Sequence, residues 1–475
     1  MRPTVLRLGL SLVLLLGPSI IVSASPQAVS AAPSKPNVVI ILTDDQRYDT
    51  LWAMPHVQND LVKKGMQFNQ GFVTNSLCCP SRTSILTGNY SHTTQVWKDS
   101  PPYGGFQTFL DTGDDKSTLA TWLHRDGYRT ALFGKYLNGY YDQASAGYIP
   151  PGWDQWNAFD RASYYNYRLF VHNNLRQFGN HPSDYSTGVL TNEATSFIQN
   201  TKSPFFMYFA PYAPHRPAVP SRQFDHRFKG INPWHPKSYD ERDVSDKPKY
   251  ISKDIPLFDA ARNKAIQRFR RRQYQTLLSA DQAVGNIVKT LKDTGQLDNT
   301  IIFFMSDNGI AWGENRWTSK KVPYEPSIRI PYVVRYDPLT HSTNKVDQTD
   351  MVLNIDVAPT IVQLAGAKAP AMDGQSLVPL LDGSADTWRT DFLIEHMAKN
   401  QKQAPPTYCA VRSEQYIYVY YATGEEELYN LQQDPEELRN QINNPNLDLV
   451  RTTMQSRLKD LCNPHPPGLH IHSGL

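Results

Sequence analysis

Residues 75–92 read NSLCCPSRTSILTGNYSH. Two adjacent cysteines, Cys78 and Cys79, precede Pro80, Ser81 and Arg82, and a short apolar run then closes on Thr87 and Gly88. As local structure this predicts a helix entry, with Pro80 in the first turn, a Ser or Thr nearby as cap, Ile85 and Leu86 toward the core, and Gly88 as the stop. That reading leaves Cys78 without a reason. A thiol at the mouth of a helix, one turn from Arg82, sits where the positive end of the peptide dipole stabilises an anion or an attacking oxygen.

On either side of this stretch, apolar runs end in polar groups. Asn37–Thr43 (NVVIILT) is β-branched and nearly continuous, which predicts a strand buried on both faces, and it stops at Asp44, Asp45, Gln46 and Arg47. One Asp there could cap a helix; two together at the end of a buried strand favour a bound cation. Tyr128–Phe133 runs into Gly134 and Lys135, Phe205–Ala210 into Pro211, Pro214 and His215, and Ile301–Met305 into Ser306, Asp307, Asn308 and Gly309. Open α/β sheets bind ligands beyond the carboxyl ends of their strands, so four strands ending in this way predict one shared crevice.

Between the last two of these strands, residues 258–294 carry helical spacing through Leu277, Asp281, Val284, Ile287, Val288 and Leu291, with Gly295 as the stop. The basic run Arg262–Arg272 on this helix reads as a solvated face in preference to a polyanion-binding patch. Pro217–Pro256 predicts a long ordered loop, and Met351–Leu364 a second apolar helix. From Phe392 the text changes to short aromatic strands over 392–395, 408–421 and 427–431, with Gly424 at a turn. Asp434 and Pro435 then open a terminal helix that reaches Leu461 with breaks.

Composition sets limits. Across 475 residues, 48 Lys and Arg face 45 Asp and Glu, and a net charge of +3 is too small to argue for nucleic acid or a membrane surface. Arg2 and Arg7 precede the apolar run Leu8–Val22 and small residues around 23–32, the pattern of a cleavable signal peptide rather than an anchor, with the mature chain starting between Ser25 and Ser34. Export makes the four cysteines count: Cys78 and Cys79 are poor partners for each other, whereas Cys409 and Cys462 could form a bridge.

Taken together, Asp44, Asp45, Asp307 and Asn308 offer only oxygen ligands, which suits Ca²⁺ or Mg²⁺ and disfavours zinc or iron. Lys135, Lys320 and His215 add positive or proton-donating groups beside Cys78 and Arg82. The sum predicts a site for an anionic oxyester, with a cation and lysines for the charge, an acid for the leaving alcohol, and a nucleophile by the metal.

These residues carry a resemblance. CCPSRTSILTG is similar to the signature of the formylglycine-dependent sulfatases of the alkaline phosphatase-like superfamily, Cys-x-Pro-Ser-Arg with Gly six residues on. TDDQR and SDNG resemble that family's metal motifs, GKY and APHRP its lysine and histidine motifs, and LYNLQQDPEEL its C-terminal region. Within SKKVPYEP, the lysine four residues before the Tyr-Glu pair is Lys320, preferred over Lys321 as the active-site lysine. The resemblance implies that a formylglycine-generating enzyme oxidises Cys78 to formylglycine, whose hydrated aldehyde is the nucleophile. It also implies that Asp44, Asp45, Asp307, Asn308 and residue 78 hold Ca²⁺, in preference to Mg²⁺, and that Arg82, Lys135, His215 and Lys320 bind sulfate or move protons.

Two positions depart from the family pattern. Many members have His two residues after the GK lysine, where this chain has Leu137 and then Asn138; and a His commonly follows Gly-Glu where this chain has Gly313, Glu314 and Asn315. GKYLN, YYNY at 164–167 and the paired cysteines are instead similar to the branch of N-acetylglucosamine-6-sulfatases and heparan sulfate endosulfatases. The expected substrate is therefore a sulfated sugar, N-acetylglucosamine-6-sulfate-like or of glycosaminoglycan type, or an aryl sulfate. A phosphate or phosphonate monoester hydrolase of the same fold, or an unconverted secreted protein that binds sulfated glycans, are the alternatives. The expected fold is α/β: a large, mostly parallel mixed sheet sandwiched by helices over residues 33–390, with a small C-terminal α+β subdomain over 391–475. The expected location after removal of residues 1–32 is extracellular or periplasmic.

Overall fold

In the computed structural model, the apolar runs become neighbouring strands of one eight-stranded sheet. Residues 35–471 are described, apart from 145–146, 172–173, 203, 341–344, 348 and 399–402; ahead of them only Met1, Pro3, Thr4 and Gly9 are. The expected signal peptide lies outside the described residues.

The large sheet comprises β1 (Asn37–Thr43), β2 (Met66–Phe68), β3 (Arg129–Gly134), β4 (Gln155–Ala158), β5 (Phe205–Ala210), β6 (Thr300–Ser306), β7 (Tyr332–Arg335) and β8 (Lys345–Asp347). Its order is β8-β2-β7-β6-β1-β5-β3-β4, and β7 alone runs antiparallel to its two neighbours. All seven residues of β1 are buried because side chains alternate between two covered faces. Val39 and Ile41 face the helices α3 (Ser186–Gln199) and α4 (Ala260–Asp293). Val38, Ile40 and Leu42 face α1 (Cys78–Thr87), α2 (Leu119–Arg125) and α5 (Val357–Ala365). Hence β1 shows no polar alternation.

A second sheet holds the antiparallel strands β9 (Asp391–His396), β10 (Tyr408–Ser413), β11 (Tyr416–Tyr421) and β12 (Glu426–Asn430). It shares the main core: the rings of Phe72 and Phe392 lie 4.9 Å apart between centroids. The terminal helix α6 (Asp448–Leu461) covers its other face, tied by a disulfide between Cys409 and Cys462.

Two helices are shorter than their sequence suggests. Val352–Leu353 pairs as a strand with Gly71–Phe72, and the buried Asp356 accepts the Leu353 N–H at 2.7 Å, so α5 begins only at Val357. Residues 434–444 are turns, because Asp434 accepts the Arg439 N–H at 2.8 Å and Asn440 the Leu428 N–H at 3.0 Å. Such side-chain bonds compete with the helix ladder.

Candidate active site

Thr43 of β1 lies opposite Ser306 of β6, so the strand ends deliver Asp44 and Asp45 beside Asp307 and Asn308. Asp45 takes a left-handed φ of 66°, which turns its carboxylate to the same side as that of Asp44. The Asp45 N–H donates to Asp307 Oδ1 at 3.1 Å, and Asn308 Nδ2 to Asp45 Oδ1 at 2.7 Å.

The start of α1 points at this cluster. Cys78 is 2% exposed, with Sγ 3.5 Å from Asp44 Oδ1. One turn on, Arg82 is fully buried; its Nε donates to Asp307 Oδ2 at 2.8 Å and its Nη1 to the Lys135 carbonyl at 2.8 Å, while Nη2 lies 3.6 Å from Asp44 Oδ2. The guanidinium thus braces carboxylates from beneath and does not line the cavity.

Lys135 follows Gly134 at the end of β3 and donates to Asp44 Oδ2 at 2.6 Å. Lys320 Nζ reaches Asp45 Oδ1 at 2.5 Å and Cys78 Sγ at 2.7 Å. Its loop is held open by positive φ at Asn315, Arg316 and Lys321, and is clamped where the Lys321 N–H donates to Ser76 Oγ. Backbone strain of this kind persists only when surrounding contacts over-determine it. Lys321 lines a separate cavity with Arg262, Trp317 and Pro405. His215, beyond β5, points Nε2 at Asp45 Oδ2 from 3.6 Å. Its Nδ1 contacts the Arg216 carbonyl at 2.6 Å, so Nδ1 carries the proton in that contact.

Electrostatics follow this geometry. Burial raises Asp44, but Lys135, then His215 and Arg82, more than reverse it, to about 2. Burial likewise opposes Asp45, and Lys320 and His215 hold it below the ordinary carboxylate range. Burial, then Asp44, pushes the Cys78 thiol well up, so as cysteine this residue is a poor nucleophile. Lys320 is held cationic against its burial, chiefly by Asp45.

The donor set fits a hard divalent cation. Asp44, Asp45, Cys78 and His215 each offer a ligand atom within 4.8 Å of one another, and Asn308 Oδ1 is a buried acceptor without a hydrogen bond. Buried carboxylates with such an orphaned oxygen match Ca²⁺ or Mg²⁺ chemistry. Above them opens a cavity of about 230 Å³ whose lining includes Lys135, Leu137, Asn138, Tyr141, Arg161, Tyr212 and His215.

Two supports are not evident from the strand ends. Tyr164, within YYNY, donates to the His215 carbonyl at 2.7 Å. Gln273, buried in α4, donates from Nε2 to the carbonyls of Asp45 and Pro214, both at 3.2 Å. Its signal in the sequence is a polar residue one helical turn before Leu277 of the apolar stripe.

Residues 36–367 match the family described as Sulfatase, and residues 313–463 match N-sulphoglucosamine sulphohydrolase, C-terminal. The chain belongs to the sulfatase family. It is 34% identical to the N-acetylglucosamine-6-sulfatase of Homo sapiens over 394 residues, 80% of this chain and 70% of that protein. A structure solved in complex with its substrate D-glucosamine-2-N,6-O-disulfate superposes with a TM-score of 0.79 at 21% identity, covering 90% of this chain and 98% of that one. The phosphonate monoester hydrolase of Agrobacterium radiobacter superposes at 0.69 with 20% identity, covering 90% of this chain and 95% of that one. At such identities these two share the fold. Sulfatases hydrolyse sulfuric esters, so family membership supplies the enzyme class and leaves the ester open.

Proposed function

We propose that this sulfatase hydrolyses the sulfate monoester of a sulfated sugar of the N-acetylglucosamine-6-sulfate kind, using formylglycine made from Cys78 and a bound Ca²⁺. One observation carries the reading: Cys78 stands at a helix mouth within contact of both Asp44 and Lys320, in a buried cluster that has no packing use for a thiol. The human relative's name and the glucosamine disulfate of the solved neighbour support the sugar.

Asp44, Asp45, Asp307, Asn308 and residue 78 would hold the cation. Formylglycine supplies an attacking oxygen in its hydrated form, and the cation supplies charge to the sulfate. Lys135 and Lys320 orient the sulfate oxygens by charge-assisted hydrogen bonds. His215 delivers a proton from Nε2 to the departing alcohol oxygen. Leu137 and Asn138 line this mouth where many members of the family have a histidine for sulfate release, and neither side chain supplies a base for that step. Arg82 acts as a positioning residue for Asp44, Asp307 and the Lys135 backbone.

The disulfide supports an oxidising, exported location. Among the described residues no helix is long and apolar enough to cross a membrane.

Mass spectrometry of the peptide bearing residue 78 tests conversion: an aldehyde is lighter than a thiol and is captured by hydrazides. A fully thiol peptide would favour the glycan-binding alternative. Cys78→Ser should abolish turnover in a host whose converting enzyme accepts only cysteine, and normal turnover there would reject the scheme. The phosphonate hydrolase neighbour keeps a second reading in play, and sulfate, phosphate and phosphonate esters of one phenol, assayed in parallel, separate the two.

A further inference from the structure

A second cavity, of about 590 Å³, adjoins the site on the far side of the His215 segment. It is lined by Arg216, Pro217, Ala265, Arg268, Phe269 and Arg272. His215 lines the catalytic cavity and Arg216 this one, so consecutive residues form the divide between them. From α4, Gln273 ties the same region to the Asp45 and Pro214 carbonyls immediately after Arg272.

The arginines lack the partners expected of a merely solvated face. Arg268 and Arg272 are exposed one helical turn apart, where like charges repel. Further along α4, Lys289 pairs with Asp293 in the usual i,i+4 manner. Among the described residues, no carboxylate forms an ion pair with Arg216, Arg268 or Arg272. Arg216 is also restrained: its guanidinium lies 3.9 Å from the Phe269 ring centroid, and Nη2 donates to the Thr318 carbonyl at 3.0 Å. Stacking and one fixed bond leave its remaining N–H groups for a ligand. Three guanidiniums around one groove match sulfate or carboxylate, both of which accept bidentate bonds.

We infer that Arg216, Arg268 and Arg272 form a second anion subsite, which holds a sulfate or carboxylate on a sugar adjoining the one whose ester meets His215. The substrate is then an oligosaccharide with several negative groups. This rests on the proposed sulfatase reading for the group that is cleaved, and on binding alone for the group that is not.

The test uses the full chain carrying Cys78→Ala, titrated calorimetrically with a heparin-derived tetrasaccharide at two salt concentrations. Adding Arg268→Ala and Arg272→Ala should weaken binding about tenfold or more, as loss of charge-assisted bonds requires, and flatten its salt dependence. Adding Lys264→Ala instead, on the same helix but outside the groove, should change affinity less than about threefold. A desulfated tetrasaccharide that keeps its carboxylates, titrated against the Cys78→Ala chain with and without the arginine substitutions, identifies the anion: an arginine effect that persists assigns carboxylate, and one that vanishes assigns sulfate. The inference is overturned if the Cys78→Ala chain does not bind the tetrasaccharide, if the arginine variants bind it unchanged, or if Lys264→Ala costs as much. Failure of the sulfatase reading shows separately, as absence of sulfate release from any ester by the unmutated chain.

Discussion

Replacing Gly134 with alanine should damage both stability and turnover, because the end of β3 has no room for a side chain. Gly134 has a φ of 118°, and a Cβ added there would lie 2.0 Å from the Ala210 carbonyl oxygen and 2.7 Å from its carbon. Those atoms belong to β5, whose Ala210 is the register partner of Gly134 and accepts the Lys135 N–H at 2.8 Å. Reaching an ordinary contact of 3.4 Å therefore means parting two central strands. The unfavourable φ costs about 1–3 kcal/mol, the overpacking about 1–3 kcal/mol, and the weakened hydrogen bond about 1 kcal/mol. A total of about 3–7 kcal/mol is a large share of the roughly 5–15 kcal/mol by which a folded protein is stable. The same shift moves Lys135 from Asp44, and displacement by about 1 Å can cost about 10²-fold in rate. Gly127→Ala is the control, since its φ is 87° with nothing within 4 Å, so it reports the dihedral penalty alone. Urea unfolding and kcat/KM on an aryl sulfate provide the readouts. Should Gly134→Ala unfold like Gly127→Ala and turn over like the parent, the steric reasoning is wrong.

Three other outcomes follow from the geometry. Lys320→Ala should lower kcat/KM by about 10²–10³-fold while Lys321→Ala stays near the parent, and equal losses would remove the distinction drawn from the Asp45 and Cys78 contacts. Burial raises Glu241 from 4.5 to about 7 against the opposing pull of Lys247. Its folded form therefore holds a proton that the unfolded chain releases, and stability falls as pH rises from about 4.5 through 7, by up to about 3.5 kcal/mol at about 1.4 kcal/mol per pH unit. Glu241→Gln should match the parent at the acid end of that window and exceed it above; a parent more stable at pH 8 would mean that the Lys247 pair dominates. Opening the Cys409–Cys462 bridge, which closes 53 residues, should cost about 4 kcal/mol on the loop-entropy account, and an unfolding midpoint indifferent to reductant would contradict it.

Much of the site was legible in the chain because its information is local. Five consecutive apolar residues at 38–42 admit few structures other than a strand covered on both faces, and the polar groups after that strand and three like it must then meet at one end of the sheet. That logic grouped Asp44, Asp45, Lys135, His215, Asp307 and Asn308, and the α1 stretch added Cys78 and Arg82. Other features depend on contacts between distant segments. The left-handed turn at Asp45, the inward guanidinium of Arg82, the reach of Gln273 to two carbonyls, and the strand at Val352–Leu353 each need a neighbour supplied by packing. The same holds for the arginines of α4: helical spacing says which residues share a face, and only the docked His215–Pro217 segment makes that face a groove. Periodicity and turn chemistry act over a few residues and are written in order along the chain, whereas an ion pair or cavity wall joins positions hundreds of residues apart once the sheet has closed.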